Sequence, residues 1–155
     1  MLRKMKMHHV FLPVIVLLLL IGVCYMLWPH SFANLQPECD LITLYRIDTA
    51  GDGVSFTATK ESYLADSAEF GQVMDTLSRY TCHRSLRTLA GANNMEGNHA
   101  GYWIHVYLDH GDDRVVLICG GTGEISINGL VWRVDYWGDH ASLSMMAELA
   151  TVLGK

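Results

Sequence analysis

The stretch YWIHVYLDHGDDRVVLIC, residues 102–119, decides the fold because two alternating runs flank a turn. In the first run apolar residues alternate with aromatic or polar ones, which is the two-residue period of a β-strand. The Gly and Asp residues that follow are typical of a chain turn. If Asp109 pairs with Arg114 across it, one face of the hairpin carries Ile104, Val106, Leu108, Val115, Leu117 and Cys119. The stretch therefore predicts an antiparallel hairpin with one apolar face.

A second hairpin is predicted in GEISINGLVWRVDY, residues 123–136. Asn128 and Gly129 accept the positive φ angles of a type I′ turn, so this dipeptide is the strongest short hairpin signal. The predicted register pairs Ile127 with Leu130, Ile125 with Trp132, and Glu124 with Arg133. The apolar residues then share one face and the charged pair lies on the other.

The rest of the chain from residue 40 onward is predicted to supply further strands and two helices. Strand composition is found in LITLYRI (41–47) and VSFTAT (54–59), with the turn signal AGDG (50–53) between them, and CHRSLRTL (82–89) is a further strand candidate. A helix is predicted over about residues 67–80, with Asp66 and Glu69 as a capping box and an apolar stripe of Phe70, Val73, Met74 and Leu77. Asp139 can cap a final helix whose predicted buried stripe is Leu143, Met146, Ala147, Ala150 and Leu153. The fold class is therefore α+β, an antiparallel sheet built from hairpins with two helices packed on it.

An uncharged apolar run of nineteen residues, 10–28, precedes this domain. Such a run is long enough to cross a bilayer as a helix. Arg3, Lys4 and Lys6 precede the run, whereas no Lys or Arg follows in PHSFANLQPECD. The positive-inside rule predicts a single-pass plasma-membrane protein with its N-terminus inside and its domain outside. The predicted organisation is a cytoplasmic segment (1–9), a transmembrane signal-anchor (10–28), a linker (29–39) and an extracytoplasmic domain (40–155).

Cleavage of the apolar segment is the alternative to an anchor. Ser31 and Ala33 have the spacing of a secretory cleavage site, which would release a secreted domain. The run is longer than the usual apolar region of a signal peptide, about 7 to 15 residues, and this favours the uncleaved anchor.

The cysteines fit an oxidising compartment. Cys39, Cys82 and Cys119 lie outside the apolar run, and disulfides form in extracytoplasmic proteins. Cys119 ends an apolar strand and is interpreted as a small buried residue. We expect a structural disulfide between Cys39 and Cys82, although sequence alone does not fix connectivity.

Charge and motifs limit the function classes. Three of the 11 basic residues precede the apolar run, which leaves 8 against 16 acidic residues and a formal charge of −8 on the outer part. A domain this acidic repels phosphate backbones, so no nucleic-acid partner is expected. His105 and Asp109 are four strand residues apart, about 13 Å, which is too far for one ion whose ligands lie about 2.0–2.2 Å away. No metal site, cofactor or catalytic residue is predicted.

One candidate binding surface emerges from the hairpin register. Trp103, His105, Tyr107, Val116 and Ile118 share the strand face opposite the apolar one. If helices cover one side of the sheet only, these side chains are exposed and available to a partner or ligand. The other interpretation, which Val116 and Ile118 favour because Val and Ile are usually buried, is that the second helix or the Gly- and Asn-rich loop before residue 102 covers them as a second small core.

From about residue 40 onward the chain resembles an uncharacterised group of small membrane-anchored extracytoplasmic domains of Gram-positive bacteria. The resemblance is carried by the capped helix ADSAEFGQVMDTLSRY, the alternating strand YWIHVYLD and the segment GEISINGLVWRVDY before a terminal helix. It implies an envelope domain and carries no activity, cofactor or site residue.

Two function classes follow. The favoured one is a membrane-tethered binding, sensing or accessory module of the cell envelope, held by residues 10–28 and meeting an envelope protein or small ligand. The other is an envelope hydrolase or metal-dependent enzyme that uses His99, His105, His110 or His140 with nearby acids. The first is preferred because no recognisable catalytic pattern is present.

Overall fold

The structure, a computed structural model, describes residues 5–49, 55–95, 97 and 100–154, with side chains from residue 11 onward. Four α-helices and a 3₁₀ turn accompany eight strands in this part of the chain. The helices are α1 (Met5–Leu27), α2 (Ala68–Arg79), α3 (Leu86–Leu89) and α4 (His140–Val152), and the 3₁₀ turn is Phe32–Asn34. The strands are β1 (His30–Ser31), β2 (Leu41–Thr49), β3 (Phe56–Leu64), β4 (Thr81–Cys82), β5 (Tyr102–His110), β6 (Asp113–Cys119), β7 (Glu124–Ile127) and β8 (Leu130–Arg133).

The main sheet has six strands in the order β3-β2-β5-β6-β7-β8, and every neighbouring pair is antiparallel. This confirms the α+β class and the antiparallel sheet. Both predicted hairpin registers are confirmed: Asp109 lies opposite Arg114, and Ile127 lies opposite Leu130. Asn128 and Gly129 have φ angles of 49° and 82°, as the type I′ turn requires.

The core lies on one face of this sheet, which we call the inner face. Helices α2 and α4 cover it, because their buried residues join the same core as those of the strands. The strands contribute Ile42, Leu44, Ile104, Val106, Leu108, Leu117, Cys119, Ile125 and Ile127, and the two helices contribute Val73, Leu77, Met145, Met146 and Leu149. The opposite face of the sheet, the outer face, carries the candidate binding residues.

The segment predicted as a linker (29–39) belongs to the folded domain instead. Strand β1 pairs with β4, and Phe32 in the 3₁₀ turn is 0% exposed within the core. The prediction was wrong because a short Pro-flanked segment shows no periodicity, so only its packing beside α2 identifies Phe32 as a core residue.

Three local predictions are corrected. Helix α2 is capped by Ser67, whose side chain accepts a hydrogen bond from Phe70 N, and not by Asp66. The predicted strand 82–89 is only a two-residue strand followed by the short helix α3, because Ser85 and Thr88 form a reciprocal capping box. In α4, Ala147 is exposed, and the buried residues are Ser142, Met145, Met146, Leu149 and Val152.

Some predictions fall on residues or side chains that the structure does not describe. The turn at 50–53, the N-terminal segment 1–9 in its side chains, and His99 lie outside the described residues. The predicted span 10–28 begins at Val10, whose side chain is also outside them. Among the described residues, no helix is both long enough and apolar enough to cross a membrane.

Candidate functional site

The five predicted surface residues lie together on the outer face of β5 and β6. Trp103, His105 and Tyr107 alternate with buried core residues along β5, and His105 and Tyr107 pair with Ile118 and Val116 of β6. All five side chains are half-buried, and none belongs to the core under α2 and α4. The structure therefore brings the predicted set together on the face that these helices leave uncovered.

Strands β2 and β3 extend this surface with residues that the sequence did not single out. Tyr45 lies directly opposite both His105 of β5 and Lys60 of β3. Phe56 and Leu64, at the two ends of β3, are 70% and 63% exposed on the same face. Alternation within LITLYRI places Tyr45 on one side of its strand, but only the order of strands shows that this side faces His105.

An aromatic pair with a cation at each end crosses the outer face. The Tyr45 and Tyr107 rings meet edge to face with their centroids 5.3 Å apart. Lys60 Nζ lies 5.3 Å from the Tyr45 centroid, and Arg114 Cζ lies 5.3 Å from that of Tyr107. Cations at such distances are attracted by the ring quadrupole. We call these four residues, Lys60, Tyr45, Tyr107 and Arg114, the aromatic row.

Charge pairing holds one end of the row in place. Arg114 Nη2 donates to Asp109 Oδ2 at 3.1 Å, and the carboxylate is buried whereas the guanidinium is exposed. This hydrogen bond and the Asp109 charge raise the pKa of Arg114. Lys60, at the other end, is exposed. The row therefore combines amphipathic rings with fixed and accessible cations.

The far side of the outer face is covered. Thr88 Oγ1 donates to Val131 O at 2.5 Å, and Arg87 lies 3.3 Å from the buried carboxylate of Glu124. Ser126 and Val131 are consequently buried on this side. The segment of α3 thus closes the outer face over β7 and β8. The five predicted surface residues are half-buried, and the final helix that was the alternative cover for them, α4, packs on the inner face instead.

Trp103 lies between the covered and open regions. A Cβ atom at Gly120 would come 2.6 Å from Trp103 Cζ3, so the indole ring packs directly against the backbone of residue 120. Only glycine permits this approach. Trp103 therefore has a fixed place at the edge of the open surface.

His105 sits at the centre of the open surface. Burial lowers the pKa of its imidazole, so the ring is neutral at physiological pH. A neutral imidazole flanked by Tyr45 and Ile118 has one N–H donor and one ring-nitrogen acceptor. It can contribute hydrogen bonds to a partner without adding charge.

The histidines of the alternative enzyme interpretation lie on separate elements. His105 is on the outer face, His110 lies at the β5–β6 turn beside Glu38 and Asp40, and His140 begins α4. His110 Nε2 is 3.3 Å from Glu38, and Nδ1 is 3.4 Å from Asp40. Within the described residues, no three His, Cys, Asp or Glu side chains are arranged to hold a metal ion.

The cysteines do not form the expected bond in the structure. Cys39 and Cys82 are both free thiols. The thiol of Cys82 is buried in the core beside β1, which raises its pKa to about 12, whereas Cys39 Sγ donates to Leu41 O at 3.4 Å. Cys119 is fully buried on the inner face, as its apolar strand predicted.

Comparison with known proteins identifies no relative: no family model, curated protein or solved structure matches the chain.

Proposed function

We propose that this chain is a membrane-tethered extracytoplasmic binding module of the cell envelope, which binds a protein partner through the aromatic row and its apolar surroundings. The observation that carries the proposal is the aromatic row itself, a paired set of rings and cations on the sheet face opposite the helices. The tether and the surface are supported by separate observations.

The tether is supported by the apolar run and by the place of Phe32. Residues 10–28 carry no charge, and the described side chains of α1 from Phe11 to Leu27 are almost all exposed to the surroundings. Cleavage near Ala33 would remove strand β1 and the fully buried Phe32 from the domain. Loss of a buried Phe side chain costs about 3–5 kcal/mol, so cleavage would release a weakened domain. An uncleaved anchor keeps this part of the core.

The choice of a protein partner follows from the shape and chemistry of the surface. The open region is a sheet face of four strands, and its aromatic residues and arginine are the residue types enriched in protein interfaces. Amphipathic tyrosines can bury their rings and still satisfy their hydroxyl groups at such an interface. Lys60 is an exposed cation on this surface, and the charge of Arg114 is paired with Asp109. The surface therefore favours an acidic or neutral patch on the partner, although the domain as a whole has a formal charge of −8.

The binding function can be tested by site-specific photocrosslinking in membranes. The full chain carries p-benzoylphenylalanine at Tyr107 or, as a control, at Ala147, which is exposed on α4. We expect a discrete protein adduct from position 107 that is absent from position 147. Equal adducts at the two positions, or none at position 107, would contradict the proposed surface.

The tether is tested separately by protease treatment of spheroplasts and by intact mass. Protease should digest the domain while the protein stays in the membrane fraction, and the mature chain should retain the residues before Ala33. A soluble form that begins near Asn34 would show cleavage and contradict the anchor.

A further inference from the structure

The end of α1 and two segments of the domain meet in a cluster of aromatic residues. Tyr136 Oη donates to Leu27 O at 2.9 Å, and the Tyr136 ring stacks on His83 with centroids 4.1 Å apart. Arg84 Cζ lies 4.4 Å from the centroid of Tyr25 in α1 and 5.0 Å from that of Trp132 in β8. These contacts fix the domain directly against the last turn of the helix.

Large apolar side chains near these contacts in the chain are exposed and lie outside the core. Trp137, which follows Tyr136, is 91% exposed, and Trp28 at the end of α1 is 66% exposed. Leu86 and Leu89 of α3, close after Arg84 in the chain, are 75% and 58% exposed. Trp137 directly follows Tyr136, which contacts Leu27 at the end of the apolar run. Trp and Tyr concentrate at the membrane–water interface of a bilayer because their rings are amphipathic.

The charge of the cluster fits lipid phosphate. Arg84 Nη1 lies 2.9 Å from His30 Nε2, and in the described part of the chain no carboxylate lies within ion-pair distance of this guanidinium. Burial, and then the Arg84 charge, lower the pKa of His30, so its neutral ring accepts this hydrogen bond. The guanidinium keeps further N–H donors, which match the oxygens of a phosphate group.

We propose that Trp28, Arg84, Leu86, Tyr136 and Trp137 form a membrane-contact surface that lies on the headgroup layer of the outer leaflet. The occupant is the lipid itself: the exposed apolar side chains enter the interface and Arg84 binds lipid phosphate. This inference rests on the proposed tether and is continuous with it, because the Tyr136–Leu27 hydrogen bond joins the surface to α1.

The contact borders one edge of the six-stranded sheet. Among the six strands of the main sheet, β8 is the edge strand that meets this surface, since its Trp132 touches Arg84, whereas β3 is at the opposite edge. Five strand spacings of about 4.8 Å separate β3 from β8 by about 24 Å across the sheet. The open aromatic row lies on β2, β3, β5 and β6, which are separated from the contact edge by β7 and β8, so the membrane contact does not use the surface proposed for partner binding.

The test uses tryptophan quenching in the full chain, reconstituted in vesicles of phosphatidylcholine and phosphatidylglycerol that contain headgroup-level nitroxide lipid. The emission of Trp137 is taken as the difference between the wild type and Trp137→Phe, and Trp103→Phe gives the matched component from the outer face. We expect the Trp137 component to lose most of its emission to the nitroxide and the Trp103 component to be little affected. Because Trp137 is exposed, its substitution leaves the fold intact.

Flotation distinguishes a failure of the membrane-contact surface from a failure of the tether. The same samples are floated on a density gradient after alkaline carbonate extraction. Protein that floats but has a Trp137 component quenched only by aqueous iodide overturns the membrane-contact surface while the tether stands. Protein that does not float overturns the tether and the contact surface together.

Discussion

Phe32→Ala should destabilise the domain strongly, although residue 32 lies in a segment with the sequence of a linker. The side chain is 0% exposed and packs in the core beside α2. Truncation of a buried Phe removes its transfer free energy and leaves a cavity, which together cost about 3–5 kcal/mol. With a urea m-value of about 2 kcal/mol per molar, the unfolding midpoint should fall by about 2 M. Urea unfolding of the full chain in detergent, followed by near-UV circular dichroism, measures this shift.

Phe56→Ala is the matched control because the same side chain is removed from an exposed position. Phe56 is 70% exposed on the outer face, so its truncation should change the free energy of unfolding by no more than about 0.5 kcal/mol. If the two variants unfold at the same urea concentration, the first residues after α1 are not part of the core. The structural argument against cleavage near Ala33 would then be lost.

Three further predictions concern stability, thiol reactivity and pH. Leu108→Ala should lower the free energy of unfolding by about 2–5 kcal/mol because the side chain is fully buried. Asp112→Asn, in the exposed turn, should change it by no more than about 0.5 kcal/mol. Equal urea midpoints for the two variants would contradict the inner-face register. Burial raises the pKa of the Cys119 thiol to about 12, so maleimide should label this thiol only after the protein unfolds. The labelling is measured by mass spectrometry, and a label on Cys119 in the native protein would contradict its burial. Burial lowers the pKa of His105 below its ordinary value of 6.5. Below about pH 6.5 the unfolded chain therefore binds a proton at His105 more readily than the folded chain does. The free energy of unfolding should consequently fall as the pH drops below about 6.5. His105→Asn should weaken this dependence in urea midpoints measured at about pH 7 and 5, and an unchanged dependence would remove His105 as a contributor.

Local chemistry explains why the hairpins could be predicted from the sequence. The Asn128-Gly129 turn fixes its own register through positive φ angles, and alternation along residues 102–108 assigns the two faces of β5. Neither signal depends on the rest of the fold. The same locality explains the partial success at α2, whose apolar stripe was identified although its cap is Ser67 and lies one residue later than predicted.

Tertiary contacts explain what the sequence did not reveal. Phe32 is a core residue because α2 packs beside it, and the short segment around it has no period to indicate this. Tyr45 and Lys60 complete the candidate surface only because β2 lies between β3 and β5, and strand order is not encoded in alternation. The capping box of Ser85 and Thr88 begins a helix where a strand was predicted. The sequence did not reveal this box because Thr occupies the position where Glu or Gln is the usual signal.

The most direct test of the proposed binding module is the affinity of the partner captured at Tyr107. The purified partner is titrated against the full chain in lipid nanodiscs, as wild type, Tyr45→Ala, Tyr107→Ala, and the control Gln72→Ala on the exposed side of α2. If the aromatic row is the centre of the interface, each tyrosine truncation should cost at least about 2 kcal/mol, which is about a 30-fold rise in Kd. The control should bind like the wild type. Wild-type affinity in both tyrosine variants would show that the partner binds elsewhere and that the outer face of the sheet is not the binding surface.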